Sequence, residues 1–327
     1  MSSDRQKNLH IVVSALTRGR PEMLKALLGS FGEMEVPAST HVQCMIVEND
    51  DTPASAGVVN AYSQLANGVD VIYVHEPELG IPFGRNRAAK EAIALGADLL
   101  AYVDDDEVVA VDWLTEIVGA YRDSAAVLIG GPLRVKPAER DLSMLDRLME
   151  RCIVRRYEQK ERRAARKADL NGTPGVTIVT NNWLGETAIF TGHSIWFDEE
   201  MRFTGGTDSK LYAEVKAANL PTAWAETAAV YEEIPLERLS IAYQFRRGRD
   251  QSSTNFHRKL ERSSAARFSV LGSIPIKIVI VAGLIIALPF TRGHTLLDAV
   301  RTTGWMAGRV QALFGRRSEL YRRVTGD

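Results

Sequence analysis

Four consecutive acidic residues, Asp104-Asp105-Asp106-Glu107, are the part of this sequence best suited to chemistry. Adjacent carboxylates repel one another and are costly to remove from water, so the run must be hydrated or neutralised. A divalent cation such as Mg²⁺ or Mn²⁺, which completes its shell with water and phosphate oxygens, is a natural neutraliser. An acidic surface loop or a helix N-cap cluster is the alternative. The apolar run Leu99–Val103 directly before the acids argues against that alternative.

The acidic run belongs to a regular alternation of apolar runs and segments with helical spacing. The predicted strands are Leu9–Ala15, Val42–Val47, Val69–Val74 and Leu99–Val103, and the predicted helices are Pro21–Phe31, Arg85–Leu95 and Trp113–Tyr121. This alternation indicates an α/β fold whose mainly parallel sheet is flanked by helices on both faces. Ligands of such sheets bind beyond the carboxyl ends of the strands. Polar clusters fall at these ends, at Thr17–Arg20, Glu48–Asp51 and Asp104–Glu107, which predicts a ligand site there.

Beyond residue 131 the pattern is less regular. Residues 138–170 predict a long, charged, solvated helix. Val176–Thr180 and Thr187–Phe190 predict two further strands, because both are rich in β-branched and apolar residues. The segment Phe203–Asn219 predicts a Gly-Gly loop that opens an amphipathic helix.

The composition of the 327 residues, 45% hydrophobic and 25% charged with 12 prolines, excludes a disordered polymer, a collagen-like repeat and a disulfide scaffold. The net charge of -1 conceals an asymmetry, because the segment from Arg246 onward has 15 basic and 5 acidic residues. A basic tail on an acidic body predicts an anionic partner for the tail, either phosphate groups or a membrane surface. Nucleic acid is a poor candidate, because no basic face interleaved with aromatic residues is visible.

The basic tail contains an apolar segment, residues 274–290, in which Lys277 is the only charged residue. It is short for a bilayer-spanning helix, and basic residues flank it on both sides. A helix or shallow hairpin in the cytoplasmic leaflet is favoured over a single span or a buried core helix. Leu296–Leu313 predicts an interfacial amphipathic helix. Two distant cysteines, Cys44 and Cys152, and the lack of a signal-peptide core near the start favour the cytosol.

Four motifs occur in order along the chain and together resemble the nucleotide-sugar domain of family 2 glycosyltransferases. They are Val12–Pro21, Ile46–Asp50, Gly80–Arg87 and Tyr102–Asp106. The resemblance covers roughly residues 9–250 and implies a GT-A fold in a domain of residues 1–250, with a donor half at about 9–131 and an acceptor half at about 132–250. Residues 251–327 would form a helical, membrane-associating tail. This layout is most similar to bacterial exopolysaccharide transferases of the succinoglycan glucosyltransferase type.

The resemblance implies a donor site around the acidic run. Asp106 would ligate a Mg²⁺ or Mn²⁺ ion, and Asp104 would lie near the ribose or the metal. Asp105 would contribute to donor binding between them. Glu48 stands where the family usually has an aspartate that contacts the uracil edge, and Asn49 lies beside it.

Further donor contacts are implied elsewhere in the chain. Thr17 and Arg20 would line the first loop over the base, and Arg85 would face the nucleotide. Arg246 and Arg249 lie in an Arg/Gln-rich segment that resembles the one closing over the donor diphosphate in this family. Guanidinium groups suit that role, because they bind phosphate in a bidentate manner. The alternative is that these two arginines begin the membrane-facing patch.

The loop Gly205-Gly206-Thr207-Asp208 resembles the Gly-Gly-Glu-Asp loop of the family. Asp208 takes the general-base position, and Gly205, Gly206 and Thr207 would contact the acceptor. Inversion at the anomeric carbon requires a base that deprotonates the acceptor hydroxyl opposite the leaving diphosphate. Asp208 as an N-cap of the following helix is the structural alternative, and the two roles are compatible.

The resemblance therefore implies an inverting glycosyltransferase that uses a UDP-sugar, with UDP-glucose favoured, and a divalent metal. The acceptor would be an oligosaccharide on a polyprenyl diphosphate carrier, and the enzyme would lie peripherally or monotopically on the cytoplasmic face of the inner membrane. Residence on the same surface as a lipid-linked acceptor raises the effective concentration of that acceptor. Two alternatives remain: a sugar-phosphate nucleotidyltransferase, although the first loop lacks a glycine-rich, lysine-bearing phosphate cradle, and a non-catalytic membrane-bound assembly factor.

Overall fold

A mostly parallel seven-stranded sheet forms the centre of the fold. The structure is a computed structural model that describes residues 8–136, 141–171, 177–203, 205–262 and 268–315. In chain order the strands are β1 (Leu9–Thr17), β2 (Thr40–Glu48), β3 (Asp70–His75), β4 (Leu99–Asp104), β5 (Glu107–Val109), β6 (Leu128–Gly130), β7 (Leu133–Val135), β8 (Asn182–Glu186), β9 (Thr222–Trp224) and β10 (Val230–Glu232). The large sheet has the order β3-β2-β1-β4-β8-β6-β9, and a small second sheet has the order β5-β10-β7.

The register of the parallel strands brings the polar clusters of the sequence to one edge. β1 is parallel to both β2 and β4, and Thr17 lies opposite Glu48 while Leu16 lies opposite Asp104. β8 runs antiparallel to β4, so the sheet is mixed beyond that strand. The strand ends of β1, β2 and β4 therefore meet where a ligand site is expected.

Helices cover both faces of the large sheet, which confirms the α/β prediction. Alternate residues of β1 point to opposite faces, so that Ile11 and Val13 pack with one group of helices and Val12 with the other. The first group is α1 (Pro21–Glu33), α2 (Ala56–Ala61) and α4 (Trp113–Asp123), and the second is α3 (Ile81–Ala94), α6 (Ala188–Thr191) and α7 (Thr207–Ala217). The remaining helices are α5 (Met144–Asn171), α8 (Leu236–Leu239), α9 (Ile241–Arg262), α10 (Phe268–Ile286) and α11 (Leu296–Leu313).

Two predicted strands are wrong. Residues 177–179 have no strand geometry, Val176 lies outside the described residues, and most of Thr187–Phe190 forms the short helix α6. The strand of this region is β8 instead. The sequence pattern does not predict it, because it begins with a polar residue, Asn182, which is not typical of a buried strand. The Asn182 amide is buried and satisfied, since it accepts from Trp113 Nε1 at 2.9 Å and donates to the carbonyl oxygens of Pro132 and Ala228. A buried polar side chain is tolerated when its hydrogen bonds are made, and those partners are distant in sequence.

The tail helices pack tightly against one another through glycines. A Cβ atom at Gly304 would lie 2.2 Å from the Phe245 carbonyl oxygen, and one at Gly308 would lie 2.0 Å from that of Arg249. On the facing helix, a Cβ at Gly248 would lie 2.5 Å from the Arg301 carbonyl oxygen. α9 continues through residue 250, where the domain boundary is predicted, and α11 packs along it on both sides of that position. The partition at residue 250 stays a prediction.

Replacing Gly308 with alanine is expected to lower the free energy of unfolding by about 1–3 kcal/mol, because the added methyl group forces α9 and α11 apart. Gly283→Ala is the matched control, since its Cβ in α10 would meet no atom within 4 Å. Removing that glycine should stabilise the helix by up to about 1 kcal/mol. Urea unfolding of both variants measures the difference, and equal stabilities would contradict the close packing of the two helices.

The predicted apolar segment corresponds to the C-terminal half of α10 and the turn after it. None of the helices in the described ranges has both the length and the apolar character needed to cross a bilayer. α10 nevertheless leaves large apolar side chains exposed to solvent. They include Ile276, Ile278, Val279, Ile280, Ile285 and Ile286, together with Phe290 after the helix.

Candidate active site

The acidic run forms a compact group of carboxylates between β4 and β5. Asp104, Asp106 and Glu107 can each offer one carboxylate oxygen such that these atoms all lie within 4.8 Å of one another. The turn holds them together, since the Asp104 backbone N–H donates to Glu107 Oε2 at 3.0 Å. Glu107 is buried and begins β5, whereas only Asp104 and Asp106 are predicted metal ligands in the sequence.

The electrostatics of this group fit a divalent cation. Burial and the charges of Asp106, Asp105 and Asp208 raise the pKa of Asp104 to about 7, against the opposing charge of Arg85. Burial and the Asp104 and Asp106 carboxylates also raise the pKa of Glu107 well above its ordinary value. These shifts mean that the site holds more negative charge than its surroundings compensate. A hard cation with oxygen ligands would supply that compensation.

Arginines pair with the other two acids of the run. Asp105 is buried and accepts hydrogen bonds from Arg20 Nη1 at 2.7 Å and from Thr17 Oγ1 at 2.9 Å. Asp106 Oδ2 accepts from Arg238 Nη2 at 2.8 Å and lies 3.8 Å from Arg20 Nη1. The structure thus brings Thr17 and Arg20 to the acidic run, where they hold the Asp105 side chain in place.

Arg85 connects the acidic run with the loop that precedes α7. Its guanidinium lies 3.6 Å from Asp104 Oδ1 and donates to Thr207 Oγ1 at 3.2 Å. The Arg85 side chain is buried, and its guanidinium lies over the Phe197 ring, 5.6 Å from the ring centre. The backbone carbonyl oxygen of Arg85 accepts a hydrogen bond from Tyr102 Oη. Because Arg85 is buried and contacts both Asp104 and Thr207, it fixes the distance between the acidic run and the loop before α7.

The predicted general base, Asp208, lies on the first turn of α7, close enough for its charge to act on the acidic run. Gly205 and Gly206 both have positive φ, 74° and 82°, a backbone conformation that suits glycine, and they turn the chain into the helix. Gly206 occupies the N-cap position, so Asp208 is not the N-cap; its Oδ1 accepts from the Ser209 N–H at 2.7 Å. Its charge acts on Asp104 and on Lys160 of α5, which places it beside the acidic run.

Glu48 and Asn49 hold loops at the edge of the sheet. The Glu48 carboxylate is fully buried and accepts hydrogen bonds from the backbone of Ala54, from Ser55 and from Tyr73 Oη. Burial alone would raise the pKa of Glu48, but these hydrogen bonds lower it below its ordinary value. The Asn49 amide binds the Glu78 carbonyl oxygen at 2.7 Å and the Gly80 N–H at 2.9 Å. Neither side chain has a described contact with the acidic run, and contact of Glu48 and Asn49 with the nucleobase of the donor stays a prediction.

The arginines of α9 face different surroundings, some toward solvent and one toward the site. Arg246 is exposed, and Arg249 pairs with Asp250 at 2.8 Å, so the structure does not bring the two predicted residues to the acidic run. Arg247 is the residue of this segment whose charge acts on Tyr157 and Glu232. Successive residues of a helix are 100° apart around its axis, so Arg247 lies on a different face of α9 from Arg246 and Arg249.

Two further residues missed by the sequence analysis extend the site. Arg238 in α8 lies 3.7 Å from Glu232 Oε2 as well as contacting Asp106. Glu232 in β10 is buried, pairs with Glu107 in the small sheet, and accepts from Tyr157 Oη at 2.6 Å. No local pattern around either residue marks them, because their partners in the acidic run and in α5 are at least 75 residues away in the chain.

Comparison with known proteins agrees with this geometry. The profile of glycosyl transferase family 2 matches residues 11–187. Over 250 residues the chain is 27% identical to the succinoglycan biosynthesis protein ExoM of Rhizobium meliloti (strain 1021), which covers 74% of this chain and 72% of that protein.

Solved structures show the same fold at low sequence identity. The mannosyltransferase PcManGT from Pyrobaculum calidifontis, in complex with GDP-Man and Mn²⁺, aligns with a TM-score of 0.61 at 14% identity, covering 96% of this chain and 89% of the other. S. aureus TarS 1-349 aligns with a TM-score of 0.51 at 13% identity, covering 94% and 92%. The family match favours a glycosyltransferase over the nucleotidyltransferase and the assembly factor. The chain belongs to glycosyl transferase family 2 and is a glycosyltransferase with a GT-A fold.

Proposed function

We propose that this glycosyltransferase is an inverting enzyme that moves a sugar, with glucose favoured, from a UDP-sugar to a lipid-linked oligosaccharide during surface polysaccharide synthesis. The observation that carries the proposal is the proximity of two carboxylate sites, the acidic run and Asp208, since the charge of Asp208 acts on Asp104. Arg85 connects them, because it lies 3.6 Å from Asp104 Oδ1 and donates a hydrogen bond to Thr207, the residue before Asp208. This arrangement separates a place for the leaving diphosphate from a place for a base, as inversion requires.

Asp208 acts as the general base in the proposed reaction. Its carboxylate takes the proton from the acceptor hydroxyl as the hydroxyl oxygen forms a bond to the anomeric carbon. The bond between that carbon and the diphosphate oxygen breaks on the opposite face, and its electron pair leaves with UDP. An α-linked donor therefore gives a β-linked product.

The positive charge that the leaving diphosphate requires comes from both protein and metal. Arg238 supplies a guanidinium group on the tail side of the site, next to Asp106. Asp104, Asp106 and Glu107 would hold a Mg²⁺ or Mn²⁺ ion, which when bound neutralises diphosphate charge. The PcManGT structure contains Mn²⁺ with its nucleotide sugar, which supports a metal in the same fold.

The nature of the donor and acceptor rests on the relatives. TarS 1-349 has a structure in complex with UDP, with a TM-score of 0.50 to this chain, whereas PcManGT was solved with GDP-Man. UDP-glucose and a polyprenyl diphosphate-linked oligosaccharide suit a relative named for succinoglycan biosynthesis. The experiment is incubation with labelled UDP-glucose and membrane lipid extract. We expect label in the organic phase that β-glucosidase releases; label released by α-glucosidase instead would refute inversion.

The exposed apolar side chains of α10 support a location on the cytoplasmic face of the inner membrane. Side chains such as Val279 and Ile286, 72% and 70% exposed, are unusual in water when they are contiguous. The surrounding tail is basic, so a surface of anionic lipid satisfies both its apolar and its charged groups.

A double variant, Val279→Asp with Ile286→Asp, is expected to weaken binding to phosphatidylcholine–phosphatidylglycerol vesicles about 100-fold or more. The reason is that each side chain loses about 1.5–3 kcal/mol of apolar burial. Vesicle flotation measures the change. Val111→Asp is the control, because Val111 is 52% exposed but lies in the donor half before α4. Equal flotation of the double variant and the control would place the membrane contact elsewhere.

A further inference from the structure

Three arginines from three different helices converge beside the active site. Arg156 lies on α5, Arg247 on α9 and Arg301 on α11. Arg301 Nε donates to Gln244 Oε1 at 2.8 Å, one turn before Arg247 on the same helix. Arg156 Nη1 lies 3.4 Å from Asp298 Oδ1, one turn before Arg301. We call these three residues the arginine cluster.

Two members of the cluster, Arg301 and Arg156, carry positive charge that the protein compensates only in part. Burial and the nearby charges of Arg247 and Arg156 lower the pKa of Arg301 to about 9. Within the described residues, no carboxylate lies within 4 Å of the Arg301 guanidinium. The Arg156–Asp298 pair is about half exposed, so it neutralises little. Like charges held together against repulsion favour a ligand that carries several negative charges.

Rigid packing keeps Arg301 in this position. The Gly248 Cα hydrogen points at the Arg301 carbonyl oxygen, and no larger residue fits there, since a Cβ would approach to 2.5 Å. α11 is fixed along α9 at Gly304 and Gly308 in the same way. The backbones that carry Arg247 and Arg301 are therefore fixed before any ligand binds, which reduces the entropy lost on binding.

Contacts lead from the arginine cluster to the acidic run. The charges of Arg247 and Arg301 act on Tyr157, which donates a hydrogen bond to Glu232. Glu232 lies 3.7 Å from Arg238, which pairs with Asp106. The arginine cluster thus borders the reaction site on its tail side. Its helices come from the region assigned to the acceptor and from the tail, and no strand end of the donor half contributes to it.

The same helix that provides Arg301 also packs against the exposed apolar helix. The Lys277 ammonium of α10 lies 5.6 Å from the Trp305 ring of α11. A molecule with a polyanionic head and an apolar chain would find complementary surfaces on α11 and α10. The donor has the first of these properties and lacks the second.

We propose that the arginine cluster of Arg156, Arg247 and Arg301 binds the diphosphate group of the lipid-linked acceptor. The inference rests on the proposed function and adds the place where the carrier is recognised. The donor diphosphate has the same chemistry, so a test must separate the two sources.

The test measures binding of three probes to the detergent-solubilised full-length protein by calorimetry: farnesyl diphosphate, farnesol, and UDP with Mn²⁺. Arg301→Gln and Arg156→Gln should each raise the Kd of farnesyl diphosphate about tenfold or more, because each removes a charged donor. UDP binding should change less than twofold. Arg155→Gln is the matched control, since it removes the same charge from an exposed position adjacent to Arg156.

Three results would overturn the assignment: unchanged farnesyl diphosphate binding in both variants, an equal loss of UDP binding, or farnesol binding as tight as that of the diphosphate. If Arg301→Gln does not fold, the Arg156→Gln variant decides the outcome, because Arg156 is half exposed and its replacement should not disturb the fold. Metal-dependent UDP release from a nucleotide sugar, measured on the wild type, separates this inference from the proposed function. If the wild type releases UDP but the variants bind farnesyl diphosphate normally, the arginine cluster is not the carrier site and the proposed transferase reaction is unaffected.

Discussion

Replacing Asp208 with asparagine should lower the rate of sugar transfer about 10³-fold and leave donor binding nearly unchanged. Asparagine keeps the shape of the side chain, and its amide oxygen can still accept from the Ser209 N–H. It cannot take a proton from the acceptor hydroxyl, and general-base catalysis contributes typically about 10²–10⁴ in rate. The measurement is single-turnover transfer with saturating donor, together with UDP binding.

Glu214→Gln provides a matched control for that variant, because it removes one negative charge from the partly exposed side of the same helix, α7. We expect transfer by the control within about twofold of wild type. Transfer by Asp208→Asn at more than a tenth of the wild-type rate would show that Asp208 is not the base.

Replacing Asp106 with asparagine should lower metal-stimulated transfer by about 10²–10³-fold, since the site loses a charged oxygen where diphosphate charge develops. The amide oxygen can preserve the hydrogen bond from Arg238, so the fold should survive. Mn²⁺ affinity, measured by electron paramagnetic resonance, should fall more than tenfold.

The control for the metal site is Asp112→Asn, an exposed acid in the loop between β5 and α4. It should leave both the Mn²⁺ affinity and the transfer rate unchanged. If Asp106→Asn binds Mn²⁺ as tightly as the control does, Asp106 is not a ligand and the metal assignment fails.

The sheet could be predicted well from the sequence because its strands are buried on both faces. Leu9–Ala15 and Leu99–Val103 are apolar at almost every position, and their structured bounds differ from the predicted ones by one or two residues. Parallel strands also place their carboxyl ends at one edge, so the position of Asp104 and Asp106 followed from strand direction alone. In α11 the predicted and observed bounds, Leu296–Leu313, are identical.

The pairing of charges within the site could not be predicted in the same way. Arg238 contacts Asp106 from 132 residues away, and Arg85 contacts Thr207 from 122 residues away. Only tertiary packing brings such pairs together. The action of the Arg247 charge on Tyr157 and Glu232 could not be predicted either, because it depends on which face of α9 is turned toward α5 and α11.

We propose that this chain releases UDP from a nucleotide sugar at the carboxylate site of Asp104, Asp106 and Glu107. The most direct test is UDP release by detergent-solubilised protein across a panel of UDP-sugars, with Mn²⁺ or with EDTA, and with membrane lipid extract as the source of acceptor. We expect UDP release from one donor, UDP-glucose; EDTA should abolish this release, and the Asp106→Asn variant should lack it. Release that continues in EDTA, or none from any donor even with lipid extract, would contradict it.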